Sequence, residues 1–414
     1  MSLDGLSKNK IRLTGDVAAQ YYYITILMQI IFCIKMYTVF YYSSRNISLG
    51  WPLDGLVFDP FHRFTDWLTV YGASMIRDPY ITSPTGATGP PYGYSLLYIV
   101  SLAHYFGPRH YYFYMVLIFT CINYAIYAKA IPGGLSLKSA SGYMSIIVVL
   151  YPLYFMIDRG NADIVASVLI SLLFLLLMFN YKNKEFVIAT LLSFITSLKP
   201  SLLLFALPLL FMFRLKVVLL FLVINLTVYL YPVIMLGEKL LYMPTLIISA
   251  QKILGDNPIM FHHDLALVLS IFNVKIPSMY VAAFIIASCL LFLAYIKYFV
   301  RRVDVGLVVA LVAEITMLAN HPSPDYRMLL LFPIYFYITF VILKIGIMSS
   351  ADKIIFIVSF VFAMSFDNIP INENLVYVSV LRFLGITMAL YLTVKQMLVY
   401  GKKDNVINPT FNNA

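Results

Sequence analysis

Long apolar runs separated by short polar insertions occupy most of this chain and limit what it can fold into. A helix needs about 20 mostly apolar residues to cross a bilayer. Runs of that length lie at residues 17–42, 111–131, 217–236, 279–300 and 375–400. Shorter candidate spans lie at residues 92–106, 143–157, 164–180, 186–198, 202–213, 305–318, 328–345 and 354–365. We predict roughly eleven to thirteen transmembrane helices, with residues 265–274 re-entrant or interfacial.

Composition supports the same fold class. Hydrophobic residues make up 61% of the 414-residue chain and charged residues 12%, whereas an average soluble domain is about a quarter charged. This excludes a cytosolic enzyme, a disordered protein and a secreted disulfide scaffold. Cys33, Cys121 and Cys289 lie in apolar runs without metal-ligand spacing, which is typical of small core residues. We predict an all-α polytopic membrane protein in which residues 1–414 form a single integral-membrane domain.

The net charge of +10 predicts an orientation rather than a nucleic-acid partner. The basic clusters are too short to form a basic arm, and Lys and Arg accumulate in cytoplasmic loops of membrane proteins. These clusters lie at residues 8–12, 182–184, 214–216, 301–302 and 402–403. Residues 43–91 then form a first outer loop, and residues 92–414 form the helical bundle. We expect the first apolar run to be a retained helix rather than a cleaved signal peptide.

One part of this topology is inconsistent. Two spans are predicted between residues 91 and 138, but the later basic clusters require an odd number of crossings there. Either one of those spans is wrong, or residues 143–157 do not cross fully.

The first outer loop contains a candidate interfacial helix at residues 61–75. Phe64, Trp67, Leu68 and Tyr71 recur at helical spacing and share one face. This is the pattern of a short amphipathic helix that lies in the membrane interface. An ordinary solvated loop is the alternative.

Three polar insertions between apolar runs are predicted to reach the same outer side. The first, MIDRGNADIV, includes Asp158, Arg159, Asn161 and Asp163. The second, SLKPS, includes Lys199. The third, NHPSPDYRML, includes His321, Asp325, Tyr326 and Arg327. Charged groups beside spans usually face a polar cavity or one another. Each insertion alone is equally well explained as a polar cap or an internal ion pair.

The chemistry of this set suits transfer of a group from a phosphate leaving group. Carboxylates such as Asp59 and Asp66 can accept a proton from an attacking hydroxyl. Cations such as Arg77 and Lys199 can stabilise charge on the departing phosphate. There is no phosphate loop or nucleotide-binding motif, and His262, His263 and Asp264 are adjacent rather than four apart. We therefore predict neither a metal nor a cofactor.

Several of these segments resemble the bacterial GT-C glycosyltransferases, in particular glycosyltransferase family 87, which uses polyprenyl-phosphate-mannose. The first-loop pattern of that family is matched by Phe64–Trp67, Tyr71–Ala73, Pro79-Tyr80 and Pro90-Pro91. Three later segments are also similar: RGNADIVASVLISLLFLL, SLKPS and HPSPDYRMLLLFP. This chain differs in having Gly89 before the two prolines, where the family often has Tyr, and in lacking Gln in the Gly-Gln-x-Asn motif.

The resemblance implies a GT-C-like bundle and a multi-pass enzyme of the inner, cytoplasmic membrane with its active site on the outer, periplasmic side. The implied reaction is an inverting transfer of one sugar from a polyprenyl-phosphate-linked donor to a glycan or glycolipid acceptor. Asp66 would be the base and His321 would contact the donor phosphate. Lys199 and Arg327 are added as phosphate-binding cations because of their charge. We expect the substrate cavity to be lined by Asp59, Tyr71, Arg77, Tyr80, Arg159 and Asn161.

Two other function classes fit the sequence less well. A transporter or flippase could use Asp158, Asp163 and Lys199 as intramembrane charges, but we find no internal repeat. A polymerase or ligase of the O-antigen type usually has its large functional loop late in the chain, whereas the large loop is first here. The sugar, linkage and acceptor are not specified by the sequence.

Overall fold

We describe a computed structural model that covers residues 3–45, 65–76, 93–131, 134–179, 184–198, 202, 215–236, 265–274, 276–300, 303–319, 325–345, 348–365 and 376–402. Within these ranges every regular element is helical and no strand occurs. The helices are α1 Leu3–Ser44, α2 Thr65–Ser74, α3 Tyr94–Ser101, α4 Ala103–Phe106, α5 Pro108–Ala130, α6 Leu137–Ile147, α7 Tyr151–Arg159, α8 Asp163–Leu177, α9 Lys184–Leu198, α10 Leu215–Leu236, α11 Leu265–Ile271, α12 Ser278–Phe299, α13 Val305–Ala319, α14 Phe332–Ile345, α15 Ser350–Met364 and α16 Val376–Lys402. A 3₁₀ helix, Asp325–Leu331, precedes α14.

Several of these helices have the length and composition of membrane spans. The described residues contain 5 such segments: Thr14–Thr38, Pro108–Ala130, Tyr280–Phe299, Arg327–Ile345 and Val378–Gly401. A bent helix pair raises the number to 6 if it counts as one span. The chain is therefore a multi-pass, all-α membrane protein, as predicted. Our count of eleven to thirteen spans stays a prediction, and all but the first residue of the candidate span at residues 202–213 lies outside the described residues.

The bent pair lies where the predicted topology was inconsistent. Leu137–Ile147 and Tyr151–Arg159 meet at an angle of 63°. Pro152 occupies the first turn of the second helix, and a proline there cannot continue the hydrogen bonds of a preceding helix. Residues 143–157, predicted as one span or as a segment that does not cross fully, are divided between two short helices.

Aromatic packing holds the first helix against the second half of the chain. The Tyr21 ring packs against Phe336 and Phe356, with centroids 5.8 and 5.9 Å away. Its hydroxyl lies 2.9 Å from Thr339 Oγ1. Because a buried hydroxyl needs a hydrogen-bond partner, this contact fixes the rotation of α1 against α14.

Candidate functional site

The first-loop helix forms within the predicted range and packs on the bundle. It spans Thr65–Ser74 and buries Trp67, Val70 and Ala73. Leu68, which we assigned to the apolar face, is exposed. The helix contacts α3, α5 and α7, so neighbouring helices select the buried face.

Trp67 anchors this helix beside the polar residues of α7. Its indole Nε1 donates a hydrogen bond to the Pro108 carbonyl oxygen, 2.8 Å away. Its ring packs edge-on against Tyr112 at 5.1 Å, and the Tyr112 hydroxyl donates to the Met156 carbonyl at 2.8 Å. These contacts position the neighbouring residue, Asp66, against the end of α7.

The sequence between α7 and α8 forms a tight turn that presents polar groups. Gly160 adopts a left-handed conformation, with φ of 62°, which glycine tolerates without steric cost. The Gly160 and Asn161 amides donate to the Ile157 and Met156 carbonyls at 3.1 and 3.0 Å, as in a Schellman helix end. Asn161 Oδ1 then accepts from the Asp163 amide at 2.9 Å, which orders the start of α8.

Asp66 is bound by two side chains of this turn. Arg159 Nη2 donates to Asp66 Oδ1 at 2.8 Å, and Arg159 Nε lies 3.4 Å from Oδ2. Asn161 Nδ2 donates to Oδ2 at 3.1 Å. The Arg159 and Asp66 side chains are 26% and 25% exposed. The carboxylate is therefore held in a fixed, charge-assisted arrangement that solvent still reaches.

A second ion pair adjoins the first. Arg327 Nε lies 3.8 Å from Asp163 Oδ2, and these side chains are 12% and 5% exposed. Arg327 belongs to the 3₁₀ helix, which packs against α7 and α8. We refer to the five residues as the polar cluster: Asp66, Arg159, Asn161, Asp163 and Arg327.

The structure thus brings together four of the residues predicted for the site, namely Asp66, Arg159, Asn161 and Arg327. Tyr71 lies on α2 and packs against the hydrophobic core. The other predicted site residues lie outside the described residues: Asp59, Arg77, Tyr80, Lys199 and His321.

Two members of this region were not predicted as site residues. Asp163 lies two residues after Asn161, in the same polar insertion. An acidic residue at this place is typical of a helix start, and the sequence indicated its position to that extent. Tyr112 lies within an apolar run, and nothing in its sequence environment distinguishes it from a core tyrosine. Its role depends on the contact with α7.

Within the described residues, no group of three or more His, Cys, Asp or Glu side chains could hold a metal ion. Comparisons with protein-family models, curated proteins and solved structures gave no match to this chain. The polar cluster and the helical architecture therefore carry the functional inference.

Proposed function

We propose that this protein is a membrane glycosyltransferase of the GT-C type. It would move one sugar from a polyprenyl-phosphate-linked donor to a glycan or glycolipid acceptor at the outer face of the cytoplasmic membrane. The proposal rests mainly on one observation: Asp66, the residue expected to be the base, is held by Arg159 and Asn161 while remaining 25% exposed.

The hydrogen bonds of Asp66 indicate which oxygen would take the proton. An ionised carboxylate oxygen can accept about two hydrogen bonds. Oδ2 faces both Arg159 Nε and Asn161 Nδ2, whereas Oδ1 receives one hydrogen bond from the described residues, from Arg159 Nη2. Oδ1 can therefore accept a further hydrogen bond, from the hydroxyl group of the glycan or glycolipid substrate.

The proposed reaction is a direct displacement. Asp66 Oδ1 takes the proton of the acceptor hydroxyl, and the hydroxyl oxygen bonds to the anomeric carbon from the side opposite the lipid phosphate. The bond between the anomeric carbon and the phosphate oxygen breaks, and its electron pair leaves with the lipid phosphate. The configuration at the anomeric carbon is inverted.

Cations would stabilise the leaving phosphate. A guanidinium matches phosphate oxygens geometrically, and Arg327 is placed beside the turn that holds Asp66. We assign Lys199 and His321 to the same task on the basis of sequence resemblance and charge.

The test is a panel of polyprenyl phosphates bearing different sugars, mannose included, given to the purified protein in lipid nanodiscs. Product mass identifies the sugar transferred. Asp66→Asn should lower the transfer rate by about 10²–10⁴-fold, the range of general-base contributions. Asp16→Asn is the matched control, since Asp16 is also a partly exposed carboxylate (35%) that pairs with a cation, Lys353, and it should retain transfer.

Two outcomes would contradict the proposal. Wild-type rates in a folded Asp66→Asn protein would remove Asp66 from the base role. Absence of transfer with every donor, together with gradient-dependent uptake into proteoliposomes, would favour the transporter.

A further inference from the structure

Helix α13 is enclosed by the rest of the protein. All of its residues, Val305–Ala319, are buried, and it packs against α12, α14 and α16, among others. A helix that is apolar on every side is suited to such a position. Glu314 interrupts this apolar surface with a carboxyl group that is 0% exposed.

Glu314 has one hydrogen bond and no cationic partner in the described part of the chain. Thr393 Oγ1 of α16 donates to Glu314 Oε1 at 2.9 Å. Glu314 Oε2 is buried and has no partner among the described residues. Among the described residues, a titratable neighbour is Tyr335 of α14, whose hydroxyl lies 2.8 Å from Ser359 Oγ.

A second buried acceptor lies nearby on α16. Gln396 follows Thr393 by three residues, so the two share one face of the helix. Gln396 is 1% exposed, and its Oε1 also lacks a partner within the described residues. Glu314 Oε2 and Gln396 Oε1 are therefore two buried oxygens that receive no hydrogen bond from the described residues.

Protonation of Glu314 would remove the buried charge and give its unpartnered oxygen a proton to donate. An isolated carboxylate in a water-free interior is far costlier than a neutral acid, and such groups neutralise rather than remain charged. A proton on Oε2 also converts that atom from an acceptor into a donor. The Thr393 hydroxyl can still donate to Oε1.

We propose that Glu314 is a proton-binding site and exists as a neutral carboxylic acid within the folded bundle. The site is distinct from the polar cluster, in which each carboxylate lies beside an arginine. The ligand of this site is a proton, and the Glu314 carboxyl group is held by the hydrogen bond from Thr393.

The experiment is infrared spectroscopy of the full chain in nanodiscs at neutral pH, with and without glutamate that is ¹³C-labelled at the side-chain carboxyl. The wild type should show the carbonyl stretch of a protonated carboxylic acid, and the label should shift it. Glu314→Gln should abolish that band. Absence of a label-sensitive band in the wild type, or its persistence in Glu314→Gln, would overturn the proposal.

A second variant tests the proposal even if Glu314→Gln does not fold. The chain has 4 Glu residues, and the other three can be replaced together by Glu185→Gln, Glu238→Gln and Glu373→Gln. The triple variant should retain the label-sensitive band at full intensity. Loss of the band would assign the protonated acid elsewhere and refute the site.

Discussion

Asp66 and Glu314 are both acidic residues near or within a membrane bundle, but their surroundings differ. Asp66 lies on a short helix and receives hydrogen bonds from Arg159 and Asn161, with a quarter of its side chain exposed. Glu314 is fully enclosed and receives a hydrogen bond from the neutral hydroxyl of Thr393. The first environment supports a carboxylate, and the second supports a neutral acid.

The difference follows from the hydrogen-bonding groups that surround each carboxyl group. The polar cluster forms where helix ends meet, so free backbone amides and arginine side chains are available there. The α13 surface is surrounded by the sides of other helices, whose backbone groups are already hydrogen bonded. Among the described residues, the hydrogen bond that Glu314 receives there comes from a side-chain hydroxyl, that of Thr393.

The largest effect is expected from reversing the charge at Arg159. Arg159→Asp places two carboxylates together, and we expect transfer to fall at least about 10²-fold because Asp66 loses its positioning. The swapped pair, Asp66→Arg with Arg159→Asp, should recover folding but not transfer. Thermal unfolding and the transfer assay are measured on all three proteins. Recovery of transfer in the swapped pair would show that the ion pair is only a structural contact.

Alanine substitutions of one glycine in α13 and one in α2 should change the stability of the protein in opposite directions. A Cβ at Gly306 of α13 would lie 2.1 Å from the Tyr337 ring, whereas one at Gly72 of α2 would meet nothing within 4 Å. Gly306→Ala should destabilise the protein by about 1–3 kcal/mol, as overpacking does. Gly72→Ala should leave stability unchanged or raise it by up to about 1 kcal/mol.

Thermal unfolding in one detergent compares both alanine variants with the wild type. Equal stability of the two would mean that the start of α13 can move away from Tyr337, and that the enclosure of this helix is looser than the structure indicates.

The smallest effect is expected at Thr393. Thr393→Val removes the donor to Glu314 Oε1 and should cost about 0.5–1.5 kcal/mol if the acid is neutral, compared with about 1.5–3 kcal/mol for a hydrogen bond to a charged group. A double-mutant cycle with Glu314→Leu, which removes the acceptor, isolates this interaction. A coupling free energy of about 1.5–3 kcal/mol would indicate that Glu314 is ionised, and Glu314 would then resemble Asp66.

The interfacial helix shows how far sequence reasoning reached. Helical spacing predicted a helix at residues 61–75, and α2 forms within that range. The spacing assigned Trp67 and Leu68 to one apolar face, and contacts with α3, α5 and α7 decide that Trp67 is buried while Leu68 stays exposed. The topology of residues 143–157 also required the structure, since the chain changes direction between Ile147 and Tyr151, inside a single apolar run.

By itself, the sequence determined the membrane class, the helical content and the candidate polar residues, because hydropathy and charge are local properties of the chain. Only the tertiary structure decided that Asp66 meets Arg159 and Asn161, residues more than 90 positions later, and that Glu314 meets Thr393 of α16. Whether a carboxyl group is ionised or neutral depends on the charges and donors that distant helices bring to it. Those partners are set by packing.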